Sequence, residues 1–437
     1  MAKSNSFKNS VPHAAKLGFF TAVLALLGGL GACQRSPSPN PAITNPPPGL
    51  KLGVLVPTTG ALGAASQSSL EVLPLIASTV NACGGVNNAP VSLVVEEDPL
   101  NPKAEAGLIK KLATEDQVDA VISVLGTEAS TMAVLETLVP YKIPLISSTN
   151  TASAFTERSQ KGDLQGLWSR TVPTDTQQAI ALAKLAKNRG FRTASTVVVN
   201  NSGGIRFEKA FIAAFEKLGG TVLNKSNPTR YDPQGASFDN DALSAFRPND
   251  ETPDAVIADL NPDTGNLLLQ SAEAQGLVTG VQLLLSDRIR NPTSLSLTGT
   301  KLVLPEGAIG IATHPRGGSD SSFLKNWQQS QDSPPGLYAS QTWDAAALLM
   351  LAAEAAKSNQ AIAISNKLQE VANAPGVEVT DICEALQSLR EGKEINYQGA
   401  SGEVDLDENG DVSSLYQVWT VDMQGKIRDI GQVEPSP

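Results

Sequence analysis

The feature that most constrains this chain is an alternation, repeated along most of its length, of short apolar runs with segments of helical periodicity. Residues 52–56, 91–95, 118–125 and 143–146 are compact runs, β-branched or leucine-rich and bounded by Pro, Gly or Asp. Such runs suit strands buried on both faces of a parallel sheet. Between them Leu73, Ile76 and Val80, then Ala104, Leu108, Ile109 and Leu112, recur every three to four residues, the period of a helix that lays one face on a sheet. Repeated strand-helix-strand units of this kind make an α/β domain. Pro74 has no N–H to donate, so a kink or a late start is expected in the first helical segment.

The alternation resumes after Pro173. Strand-like runs at 195–199, 256–258 and 281–285 alternate with helix-like runs at 176–187, 207–218 and 264–275. Helical 338–357 and 362–371 follow, then short strands with turn signals at 407–411 and 423–425, which complete the lobes rather than add a third domain. A chain of 437 residues exceeds one ordinary core, so two doubly wound parallel-sheet lobes are expected. Open parallel sheets bind ligands at the carboxyl ends of their strands, which puts a site between two facing lobes.

The N-terminus speaks to the compartment. Lys3, Lys8 and Lys16 precede an apolar run at 17–30 that is too short to span a bilayer comfortably and has the charge and length of a signal peptide. It ends in Leu30, Gly31, Ala32 and Cys33, which resembles the bacterial lipobox, where small residues before an obligatory cysteine allow cleavage and leave that thiol diacylated. Residues 1–32 are therefore expected to be removed, and Cys33 to tether the chain to a membrane face. Residues 33–49 hold six prolines without periodic apolar residues, a semi-extended tether able to hold a domain on the order of 40 Å from the bilayer. No later run approaches the length of apolar sequence that a transmembrane helix needs.

Losing residues 1–32 takes away three lysines and no acids, moving the formal charge from −11 to about −14. That balance does not suit a nucleic-acid partner, and it keeps an exported protein soluble without fixing the charge of any ligand. Two cysteines beyond Cys33, Cys83 and Cys383, are too few for a disulfide scaffold.

Six segments together resemble the type I periplasmic binding proteins of the leucine/isoleucine/valine-binding group. They are Leu52-Gly-Val-Leu-Val-Pro-Thr-Thr-Gly60, Asn81-Ala-Cys-Gly-Gly-Val-Asn87, Val94-Val-Glu-Glu-Asp-Pro99, Ser169-Arg-Thr-Val-Pro-Thr-Asp175, Tyr338 through Trp343-Asp344-Ala345, and Gly399 through Asp405-Leu-Asp-Glu-Asn-Gly-Asp411. The resemblance runs in order from residue 50 to about 430. It implies lobe 1 from 50–173 plus 314–415, lobe 2 from 174–313 plus 416–437, and a hinge of three crossings. It also implies an extracytoplasmic binding component of an ABC transporter that passes an amino acid or amide to a membrane permease, with no cofactor. In that layout Cys83 and Cys383 both fall in lobe 1, where an oxidising compartment favours a disulfide and two buried free thiols are the alternative.

Family members bind a ligand carboxylate with hydroxyls and backbone N–H groups at lobe 1 strand ends. The matching positions here are Gly126, Thr127, Thr149 and Thr151, although turn capping explains any one of them equally. An acid at a lobe 2 strand end often takes the ammonium, and Asp287 stands there; a helix N-cap also accounts for it. Tyr338 matches an aromatic near the cleft mouth, or is core at the head of its helix. Asn261 falls where some relatives place a side-wall tyrosine. The tyrosine that relatives often carry before the helix after Val199 is replaced within Gly203-Gly204-Ile205, so the aromatic wall is thinner and the ligand of the best-known members does not simply carry over.

Other functions find less support. Asp405, Asp407, Asn409, Gly410 and Asp411 copy half of an EF-hand loop, but Tyr416 stands where the bidentate carboxylate belongs, so a polar turn is expected and no metal site. Gly60 and Gly63 lack the Lys-Ser/Thr of a phosphate loop. An enzyme would have to rely on His314, the sole histidine outside the leader, and no nucleophile elbow or metal spacing accompanies it. A sensor of the same fold, acting on a membrane receptor or a cell-wall enzyme, remains the alternative to transport.

Overall fold

The computed structural model describes residues 49–58, 60–289, 304–313, 322–336 and 338–435. The leader, most of the tether, Cys33 and His314 lie outside the described residues.

The first four apolar runs become strands of one parallel sheet. β1 (Lys51–Val56), β2 (Ser92–Glu97), β3 (Ala120–Ser123), β4 (Leu145–Ser147) and β5 (Trp168–Arg170) lie in the order β2-β1-β3-β4-β5. Each pairs in parallel with its neighbours. Apart from the half-exposed edge strand β2, both faces are buried, as runs without polar alternation require. Leu52, Val54 and Val56 of β1 enter the core on one face, and Leu55 with Val121 of β3 enters the core on the other.

Six more parallel strands build a second sheet: β6 (Thr193–Val199), β7 (Thr221–Val222), β8 (Thr229–Tyr231), β9 (Ala255–Asp259), β10 (Gln282–Leu285) and β11 (Ile309–Thr313). In β9, Val256 and Ala258 pack on one side while Ala255 and Ile257 pack on the other. A three-stranded ladder of β12 (Val377–Val379), β13 (Ile395–Gly399) and β14 (Gly402–Glu403) lies apart from both. The chain then returns to the second sheet as β15 (Tyr416–Val421) and β16 (Ile427–Val433), both antiparallel. The second sheet is therefore parallel only up to β11.

Two local expectations need correction, and the polar turn expected at 405–411 is present. The first helix runs from Gly60 to Ala82 with Pro74 inside it, so there is no late start. Leu73, Ile76 and Val80 are buried around that proline, and this packing outweighs one missing backbone hydrogen bond. The helical segment at 362–371 is two short helices, Ala361–Ser365 and Leu368–Ala372. The EF-like stretch is a turn: the Asp407 carboxylate accepts from the Asn409 N–H at 2.8 Å and the Asp411 N–H at 2.9 Å. No group of metal-ligating side chains occurs among the described residues.

Helix Ala339–Ala356 is buried on all sides and belongs to the core of the first sheet. Within it the fully buried Asp344 accepts hydrogen bonds from the Ala400 and Ser401 N–H groups, both at 2.7 Å. Burial nonetheless raises its carboxyl to about 6. Gly399 beside it has to be glycine, because a Cβ would lie 2.5 Å from an Asp344 carboxylate oxygen. Cys83 and Cys383, whose Cα atoms are 5.7 Å apart, form a disulfide between the end of the first helix and helix Ile382–Arg390. No described helix is long and apolar enough to cross a membrane.

Candidate functional site

The carboxyl ends of both parallel sheets face one cleft. The loop after β3 supplies Gly126 and Thr127, and the loop after β4 supplies Thr149 and Thr151. From the second sheet come Gly203 after β6, Asp259 at the end of β9, Asp287 and Arg288 after β10, and Thr313 at the end of β11. Two adjoining cavities result, sharing Thr149, Thr151, Asp175, Gly203 and Arg288. The inner one, about 220 Å³, is also lined by Thr174, Gln178, Phe207, Asp259, Asp287, Tyr338 and Tyr416. The outer one, about 470 Å³, takes in 125–129, Asn201, Ser202 and Arg206.

The wall on the first sheet is built from hydroxyls and backbone and is tightly braced. The Leu125 N–H donates to the Thr149 hydroxyl at 2.7 Å, and the Asn150 amide spans to the Thr131 hydroxyl at 3.1 Å. Thr127 caps helix Glu128–Leu138 by accepting from the Ser130 N–H at 3.0 Å, so its hydroxyl is committed while it also borders the outer cavity. At Gly126 a Cβ would meet the Thr131 hydroxyl at 2.5 Å, which keeps this stretch of backbone bare. Behind the wall the fully buried Arg170 donates to the carbonyls of Asn150 (3.1 Å) and Ala152 (2.9 Å), and its Nε donates to Asp411 at 2.7 Å. Thus two of the segments that carry the family resemblance, 169–175 and 399–411, meet to hold the loop of Thr149 and Thr151 in place.

The opposite wall is charged. Arg288 Nε lies 3.1 Å from Asp259 Oδ1, which also accepts from the Ser286 hydroxyl at 2.7 Å. Asp287 opens a single 3₁₀ turn, Asp287–Ile289. Burial pushes its carboxyl above the usual carboxylate range, against the pull of Gln178 and Arg288. Asp175 is likewise raised by burial, with Arg206 opposing. Tyr338 heads helix Ala339–Ala356 in a left-handed conformation (φ 61°) and lines the inner cavity; burial, then Asp287, raise its hydroxyl.

Side chains bridge the cleft between the walls. Arg206, in the first turn of helix Ser202–Lys217, reaches Glu128 at 2.9 Å and Asp175 at 3.2 Å, and the Ser202 hydroxyl donates to Glu128 at 3.0 Å. Gly204 in that turn has no room for a side chain, since a Cβ would fall 2.2 Å from the Val199 carbonyl.

Of the residues expected at the site, Gly126, Thr127, Thr149, Thr151, Asp287 and Tyr338 line these cavities. Asn261 lines neither. It precedes helix Pro262–Ala274, where its N–H donates to the Tyr231 hydroxyl at 2.8 Å, and Asp259, two residues earlier at the strand end, is the side chain that reaches the cleft. Sequence reasoning missed Asp175, Arg206, Asp259, Arg288 and Tyr416. Asp259 ends a strand-like run and Arg288 follows Asp287, so the rule that places ligands at strand ends could have found both.

A family model described as the receptor family ligand binding region matches residues 69–424. The chain is 27% identical over 369 residues to the chemotactic signal transduction system substrate-binding protein BasB of Halobacterium salinarum, a match covering 81% of this chain and 83% of that protein. It also matches metabotropic glutamate receptors, of whose length it spans about a fifth. Among solved structures, the leucine-binding protein LivK of Thermotoga maritima superposes with a TM-score of 0.68 at 21% identity, covering 88% of this chain and 99% of that one. A solute-binding protein of an ABC transporter from R. palustris, in complex with 4-hydroxybenzoate, gives a TM-score of 0.68 at 19% identity over 89% and 98%.

Proposed function

The chain belongs to the family of receptor ligand-binding regions and has the fold of the type I periplasmic binding proteins, and on that premise we propose that it is the extracytoplasmic substrate-binding component of an ABC transporter. Its ligand is an amino acid or related small polar molecule. The observation that carries this reading is the pairing of two unlike walls across one cleft, hydroxyls and bare backbone on one side and ionised groups on the other. Such a cleft meets a carboxylate with N–H and hydroxyl donors and an ammonium with an acid, without burying either charge unpaired. Thr149, Thr151 and the Gly126–Thr127 backbone are assigned to the carboxylate, with Arg206 and Arg288 within reach, and Asp287 to the ammonium.

The lobes are taken as 50–173 plus 314–415 and 174–313 plus 416–437. Strand membership supports the division, since β1–β4 share a core with helix Ala339–Ala356 while β15 and β16 rejoin the second sheet. Cys33 is assigned the lipid that tethers the mature chain, a role that Cys33→Ser would test by releasing the protein from membrane fractions.

A thermal-shift screen of amino acids, short amides, urea and benzoates tests the main reading, because a ligand that binds only the folded state raises the melting temperature by mass action. A shift with a small polar molecule supports it. Shifts with peptides or glycans only would overturn it. The likeness to BasB favours a second reading, a sensor that reports the ligand to a membrane receptor. Ligand uptake by vesicles carrying the permease encoded beside this gene supports transport; its absence, with a receptor encoded there instead, supports sensing.

A further inference from the structure

We propose that the ligand carries a net positive charge, as a basic amino acid or an amine with more cationic than anionic groups does, and that Asp259, Asp287 and Tyr416 select it. This rests on the ligand-binding reading above and adds the ligand's class. Three carboxylates, Asp175, Asp259 and Asp287, line the inner cavity against one guanidinium, Arg288. The outer cavity adds one of each sign, Glu128 and Arg206. Among the described residues the cleft therefore holds an excess of acidic over basic groups after the pairs Arg288–Asp259 and Arg206–Asp175 are counted. A zwitterion leaves that excess unchanged and a dianion deepens it. A cation reduces it, and desolvated charge is tolerated only when paired.

Tyr416 gives an independent indication. It is fully buried, its hydroxyl has no hydrogen-bond partner among the described residues, and it lines the same inner cavity. Asp287 and Asp175 line that cavity with it, and burial, then these two carboxylates, raise its pKa. A buried hydroxyl without a partner is costly, and a ligand N–H group seated between it and the carboxylates satisfies all of them at once. The lining also offers little to an aliphatic side chain: apart from Pro173, Gly203, Phe207 and the rings of Tyr338 and Tyr416, it is hydroxyl, amide, carboxylate or guanidinium. An apolar group there would desolvate polar atoms without replacing their hydrogen bonds, which is how such sites reject analogues.

Calorimetric titration of the purified full-length chain with arginine, lysine, putrescine, leucine, glutamate and 4-hydroxybenzoate tests this. At least one of the three cations is expected to bind about tenfold or more tightly than leucine, glutamate or 4-hydroxybenzoate. Asp259→Asn should shrink that preference by about tenfold, since it removes a carboxylate and frees Arg288 to attract anions. Tyr416→Phe should weaken the bound cation by about three- to tenfold with little change in leucine binding. Leucine, glutamate or 4-hydroxybenzoate binding more tightly than all three cations overturns the charge assignment and leaves the solute-binding reading standing. Binding of none of the six, by a chain that unfolds cooperatively, overturns both.

Discussion

The two walls of the cleft solve the same problem differently. On the first sheet, apart from Glu128, the donors and acceptors are neutral and several are held by a second group: Thr149 by the Leu125 N–H, Asn150 and Ala152 by Arg170, Arg170 by Asp411. On the second, the working groups are ionised and their partners are one another, Arg288 with Asp259 and Arg206 with Asp175. A braced neutral wall can receive a common feature of many ligands, such as a carboxylate, without penalty when the cleft is open and wet. A charged wall is stable while solvated and becomes selective when closure removes water, because each ion then needs a counter-charge. The difference predicts that damage to the first wall appears as lost stability and damage to the second as lost affinity.

The sharpest way to break this contrast is Arg170→Met. It leaves Asp411 buried without its cation and removes the donors that hold the 149–152 loop, so denaturant unfolding should show a loss of about 3–5 kcal/mol. Binding should fall with it. Asp287→Asn acts on the other wall, and there affinity should drop by more than about tenfold while the ligand-free melting temperature hardly changes. A helix-capping role for Asp287 predicts unchanged affinity instead, since Asn caps nearly as well as Asp.

Glu128→Gln sharpens the comparison, because it cuts the contact between the walls and leaves both standing. The Glu128–Arg206 pair is partly exposed, so stability should change by less than about 1 kcal/mol. Affinity should fall about two- to fivefold at low salt and less at high salt, as closure loses a screened ion pair.

A pH dependence of stability is also expected, and its clearest source lies on the braced side. Glu105 is fully buried beside Asp98 and Ser130, and burial, with Asp98 adding to it, raises its carboxyl to about 8. The folded state therefore holds a proton that the unfolded chain releases near pH 4.5, and stability should decline as pH rises from about 4.5 to about 8. Asp344, raised to about 6, acts in the same sense over the lower part of that range. Glu105→Gln should flatten the profile between about pH 6 and 8, which unfolding curves at several pH values would detect.

Much of the scaffold is legible from the sequence because parallel strands buried on both faces leave unbroken apolar runs, and β1, β2, β3, β4, β6, β9 and β10 all arise from such runs. β5 and β11 are not legible, and β5 is a three-residue strand containing the buried Arg170. The first wall was readable from hydroxyls and glycine after strands. The second wall was readable only at Asp287, because the roles of Asp175, Arg206 and Tyr416 depend on residues more than a hundred positions away, or across the cleft, that no local pattern announces. Asn261 lies outside both cavities for a related reason: Asp259 at the strand end faces the cleft, and Asn261, two residues on, precedes a helix without capping it through its side chain and gives its N–H to Tyr231.

A crystal structure of the complex with the molecule found by thermal shift tests the two-wall arrangement most directly. One ligand should lie between the sheets, with an anionic or hydrogen-bonding end within 3.5 Å of the Thr149 or Thr151 loop and a cationic end within about 4 Å of Asp287 or Asp259. A ligand touching one wall alone would contradict it. So would one seated in the separate cavity of about 310 Å³ beside Trp168, Ser365 and Asn409.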